Sequence, residues 1–94
     1  NPWEAEFYTP SNGLITTLFN GVFWFDTSIG SLDQIDTSGH RDFASPNGVT
    51  ITGSDGWVTN TNPLGYFPTS HGPGWISDIE LNTKKVISFN HLLF

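Results

Sequence analysis

No cysteine and no methionine occur in these 94 residues, and only three side chains, Arg41, Lys84 and Lys85, are basic. The missing thiols exclude disulfide staples, thiolate metal sites and cysteine nucleophiles. Nine acidic residues against three basic ones leave a net charge of −6, with no basic stripe anywhere. A phosphate backbone or an anionic membrane surface would repel such a chain, so nucleic acid is not an expected partner. No stretch reaches the roughly 18 consecutive apolar residues of a membrane helix, so no membrane span is expected. No phosphate-cradling glycine loop and no Gly-x-Ser-x-Gly elbow occurs. The expectation is a non-enzyme. The absence of Met in a chain beginning at Asn1 reads as a processed mature chain or an excised fragment. Export with cleavage is the preferred account, placing the protein in the extracellular space or at a cell surface. No Asn-x-Ser/Thr acceptor for N-linked glycans is present.

What is abundant is aromatic and polar without charge. Eight Phe, four Trp and two Tyr make up 15% of the chain, whereas charged residues are 13%. A domain this small buries only about 60–65% of its unfolded surface, so large rings are an effective way to build its core. Ten Gly and six Pro break the sequence too often for long helices. Between them the runs alternate with period two. Val22 and Trp24 oppose Phe23 and Phe25, Val49 and Ile51 oppose Thr50 and Thr52, and Trp75 and Ile79 oppose Asp78 and Glu80. Alternation of this kind marks half-buried antiparallel strands. Three Asn-Gly pairs, at 12–13, 20–21 and 47–48, and Asp55-Gly56 read as hairpin turns. A helix within residues 76–94 is the rival for the one long stretch free of Gly and Pro. Asn82-Thr83 and the β-branched pair Val86-Ile87 argue against it. The predicted fold is a single all-β domain over residues 1–94. It is an antiparallel β-sandwich or jelly-roll of about seven to nine short strands. Its predicted core is Trp3, Phe7, Leu18, Phe23, Phe25, Val49, Ile51, Trp57, Ile79, Leu81, Ile87, Phe89 and Leu93.

Two regions carry functional expectations. Residues 3–9 and 86–94 are strand-like and poor in charge, and the chain closes on His91-Leu92-Leu93-Phe94 with no polar tail. Ladder hydrogen bonds are tolerant of sequence, so terminal strands can complete a neighbour's sheet as readily as their own. The primary reading is a non-catalytic structural subunit that self-assembles into a homo-oligomer, filament or surface layer by strand or sheet-edge pairing. Trp3, Phe7, Ile87, Phe89, His91, Leu93 and Phe94 are its contact residues. The alternative is a carbohydrate-binding or adhesive module. Its loop, residues 60–74, holds three Pro and three Gly between Trp57 and Trp75 and carries Tyr66, Phe67 and His71. Rings braced by proline would stack on sugar faces, and the competing account has them plugging one end of the sandwich.

The remaining polar residues offer little chemistry. His40, His71 and His91 lack metal-ligand spacing, so no metal is expected on them. Calcium takes six to eight oxygens, and Asp33 and Asp36 stand three apart without the Asp-x-Asp-x-Asp-Gly pattern. They read as turn-capping carboxylates, with a structural calcium the lesser alternative, and no cofactor is expected.

Overall fold

The computed structural model describes residues 2–17, 21–40, 42–61 and 74–91. These form eight strands and no helix. They are β1 (Pro2–Phe7), β2 (Asn12–Thr17), β3 (Gly21–Asp26), β4 (Ser31–Gln34), β5 (Pro46–Thr52), β6 (Asp55–Asn60), β7 (Trp75–Glu80) and β8 (Lys85–His91). Two four-stranded antiparallel meanders follow one another, in the orders β1-β2-β3-β4 and β5-β6-β7-β8. Every neighbour in each sheet is thus a neighbour in sequence. The all-β sandwich expected from the alternating runs is the fold observed.

The sheets meet through a common core of Leu14, Val22, Trp24, Ile35, Val49, Val58, Ile79, Leu81 and Val86, with Phe43 and Ile51 packed against it. Gly56 shows how closely they approach. A Cβ there would overlap the Leu14 side chain of the opposite sheet and crowd Leu81. Two polar seams close the sides. On one, the Val49 amide donates to Glu4 Oε1 (3.0 Å) and the Thr16 hydroxyl to the Asn47 carbonyl (3.0 Å). On the other, the Asp36 amide donates to the Lys84 carbonyl (3.1 Å) and the Val86 amide to the Asp36 carbonyl (2.9 Å).

Several expectations are corrected by register. The core takes Val22 and Trp24, whereas Phe23 and Phe25 face the other way and are half-buried. Phe7 is 55% exposed. Both faces of β3 are apolar from Val22 to Phe25, so alternation there reveals two faces without saying which one turns inward. Trp57 lies opposite Asp78 and is half-buried outside the core. In β8 the ladder slips between the pairs Ile79–Val86 and Asp78–Ser88, so Ile87 is the extra residue of a bulge. Val86 therefore enters the core, Ile87 is 44% exposed, and Phe89 is half-buried. Leu18 and Leu93 lie outside the described residues, as does the Trp3 side chain.

The turn assignments shift too. Asn12-Gly13 opens β2, Asp55-Gly56 opens β6, and Asn47-Gly48 lies in the irregular stretch of β5 between Pro46 and Val49. Asn20 is outside the described residues. The β5–β6 hairpin turns two residues earlier, at Gly53-Ser54, with Thr52 paired to Asp55. A positive φ of 59° at Gly53 alone fits a type II′ turn. Asn12 instead closes the preceding loop, accepting the Tyr8 amide (2.7 Å) on its carbonyl and the Thr9 hydroxyl (2.7 Å) on its side chain. Asn-Gly permits positive φ without requiring it. The helix considered for residues 76–94 is replaced by β7 and β8. Between them Lys84 takes the left-handed conformation (φ 58°) and closes the turn onto the Glu80 carbonyl (2.8 Å).

Candidate association surface

The N-terminal sheet turns one apolar face to the core and keeps a second outside. In register, Phe7, Gly13, Phe25 and Leu32 form one cross-strand row over its four strands. Ala5, Ile15, Phe23 and Gln34 form the next. Neither row contains a charge. Gly13 has no side chain to separate its neighbours, so Phe7 and Phe25 meet above it edge to face, with ring centroids 5.1 Å apart at 88°. Aromatic contact over a strand glycine restores the packing that the glycine forgoes. The row remains open to solvent, since its end members Phe7 and Leu32 are 55% and 65% exposed. Contiguous apolar faces of this kind on soluble domains mark interaction sites.

The residues expected to make contacts are placed unevenly. Phe7 lies on this face, and Ile87 and Phe89 lie on β8, an edge strand of the other sheet. His91 pairs with Trp75 at the end of β8. The side chains of Trp3 and His91 are outside the described residues, as are Leu93 and Phe94 altogether. Phe25, expected in the core, and Leu32, not singled out, complete the row. Their signal was the register that sets Phe25 two strands from Phe7, which alternation within one strand does not contain.

Of the proposed glycan-binding set, Tyr66, Phe67 and His71 lie outside the described residues. Trp75 is wholly buried, and the pairs Trp57–Asp78 and Asn60–Trp75 put Trp57 and Trp75 on opposite faces of their sheet. The two tryptophans therefore form no common platform. Asp33 is exposed on β4, and Asp36 uses its carboxylate to take the Ser38 amide (2.8 Å). The side-chain hydrogen bond from Ser38, then its amide, hold Asp36 below the usual carboxylate range. Among the described residues no group of three or more His, Cys, Asp or Glu has metal-holding geometry.

A second feature has no counterpart in the sequence pattern. On the outer face of the C-terminal sheet, Thr50, Trp57, Asp78 and Ser88 form one row across four strands. Asp78 is 8% exposed there, and its Oδ1 is buried without a hydrogen-bond partner. Desolvation above all, then a side-chain hydrogen bond and charge from Asp55, push its carboxyl up to about 6. A hydrogen bond from Ser88 opposes that shift, and the charge of Glu80 adds to it.

No family model, curated protein or solved structure matches this chain. Among the described residues no helix is long and apolar enough to cross a membrane, which leaves β-barrels untouched.

Proposed function

We propose that the chain is a non-catalytic structural subunit, working outside the cell or at its surface. In this reading it associates with further copies of itself through the outer face of the N-terminal sheet. The observation that carries this reading is the uncharged row Phe7–Gly13–Phe25–Leu32, whose end members are 55% and 65% exposed. Two such faces are complementary by symmetry, since an isologous contact sets the same patch against itself. Desolvated aromatic residues near the centre of an interface supply most of its energy. The low content of charge and the plentiful Ser, Thr and Asn accord with an extracellular location.

The test replaces the two most open side chains of the row. Phe7→Lys with Leu32→Lys sets four ammonium groups into a symmetric contact while leaving the core residues in place. Sedimentation of the parent should show mass rising with concentration, and the double variant should dissociate with a Kd roughly 100-fold weaker. Its melting temperature should stay within a few degrees of the parent's. A parent that stays monomeric at high concentration overturns the proposal, as does a double variant that associates equally well. Ile87→Lys, on the β8 bulge, separates this surface from strand addition at that edge. Loss of association there, and none at Phe7 and Leu32, would transfer the role to β8. Substitution is the right instrument because truncation from residue 86 would remove Val86 from the core.

A further inference from the structure

We propose that Asp55 and Asp78 form a proton-operated latch on the C-terminal sheet, holding β6, β7 and β8 together in mildly acidic surroundings and slackening as they become neutral. The latch is independent of the association surface, and geometry is its first support. Asp78 sits on β7, between Trp57 of β6 and Ser88 of β8, with 8% of its surface exposed. Its buried Oδ1 meets no donor. Ionised, this carboxyl would keep an unsatisfied charged oxygen away from water, which is costly. Asp55, at the start of β6, lies within side-chain hydrogen-bonding reach. With one proton between them the two carboxyls make an O–H···O bond. Once that proton is released to solvent, two like charges face each other.

The surroundings do little to relieve the charge. On β7, Glu80 is a further acid, directly opposite Asp55. On β8, Ser88 supplies a hydroxyl donor, and Lys85 stands opposite Glu80 rather than Asp78. From β5, the in-register neighbours Thr50 and Thr52 are uncharged. The ladder is already irregular at this point, because the slip that extrudes Ile87 falls between the Asp78 and Ile79 pairs. Repulsion at Asp78 therefore acts where β8 is least regularly bonded to its neighbour.

The direction in pH follows from proton counting. A carboxyl near 6 when folded and near 3.8 when unfolded binds more protons in the folded state between those values. Stability from this pair accordingly falls as pH rises from about 4 to about 6.5 and is level above that. Asp26 and Asp36, whose carboxyls are held below the usual range by hydrogen bonds from Ser28 and Ser38, act oppositely and only at lower pH.

Urea unfolding of the whole chain, measured from pH 4.5 to 7.5, tests the latch. The unfolding constant of the parent should rise roughly 25-fold over that range, as a carboxyl loses its proton near 6 in the folded chain and near 3.8 in the unfolded one. Asp78→Asn replaces the carboxyl by a neutral amide that can donate to Asp55, and its profile should be flat. Asp55→Asn should make the profile shallower without flattening it, because burial of Asp78 still raises its carboxyl, and it serves alone if the first variant fails to fold. Carbon-13 titration of the parent gives a direct reading, with an Asp78 carboxyl midpoint near 6. A flat parent profile, a slope that persists in folded Asp78→Asn or is undiminished in Asp55→Asn, or a midpoint below about 4.5 overturns the proposal.

Discussion

Gly13→Ala should strip β1 from the N-terminal sheet and destabilise the domain by about 3 kcal/mol or more. A Cβ at this position would fall on the Glu6 carbonyl oxygen and press against the Phe7 Cα, both of them backbone atoms. A crowded side chain can rotate away, but a strand can only shift or unpair. β1 pairs with β2 alone, and its side chains from Glu4 to Phe7 are all exposed, so little burial opposes its departure. What is lost is specific. The ladder to β2 goes, as does the edge-to-face contact of Phe7 with Phe25, worth about 0.5–1.5 kcal/mol. The Glu4 carboxylate also leaves the Val49 amide, a charge-assisted bond of about 1.5–3 kcal/mol when intact. Amide hydrogen exchange should show protection falling along residues 4–7 while β6 and β7 keep theirs, together with a lower urea midpoint. Unchanged protection in β1 and an unchanged midpoint would contradict this packing.

Asn60→Asp should lower the melting temperature by about ten degrees or more at neutral pH. Asn60 is fully buried at the end of β6 and serves as a junction. Its Oδ1 accepts the Ala44 amide (3.0 Å), while Nδ2 donates to Ser77 Oγ (3.0 Å) and approaches the carbonyls of Val58 (3.3 Å) and Trp75 (3.4 Å). Aspartate keeps the acceptor and turns the donor into a second oxygen facing two carbonyls. Unmet buried acceptors cost about 1–3 kcal/mol each, and a buried carboxylate costs more. The sum, about 3–5 kcal/mol, is a large part of the roughly 5–14 kcal/mol typical of a chain this long. Burial raises the pKa of the new carboxyl, so the variant should recover stability on acidification, once the group is neutral. Calorimetry at pH 4.5 and 7.5 measures both effects. A drop of one or two degrees, equal at the two pH values, would refute the role of Asn60.

Fold class was legible because period-two alternation and dense Gly and Pro leave a chain few choices besides short antiparallel strands. Orientation was less so. In β3 the outward pair Phe23 and Phe25 is bulkier than the inward pair Val22 and Trp24, and bulk was a poor guide to burial. In β8 one extra residue exchanged Val86 for Ile87, and a bulge leaves no mark on two adjacent β-branched residues, either of which can begin the apolar face. Trp57 and Trp75 bracket one loop in sequence, yet pairing through Asp78 and Asn60 sends them to opposite faces. Phe7 stood out as a contact residue from its own strand. Its partners Phe25 and Leu32 emerged once Gly13 and the strand register had brought them into line.

The amino-acid order by itself determined the local facts: extended backbone, frequent turns, a scarcity of charge, and an excess of aromatic side chains over what one face of a sheet needs. These follow from steric and solvation preferences that act within a few residues. Only the tertiary structure decided which face is wet, where the ladder slips, and which distant carboxyls meet. Those outcomes depend on the opposite sheet and on register across strands. Moving a strand by one residue reverses every side chain on it and leaves its composition unchanged.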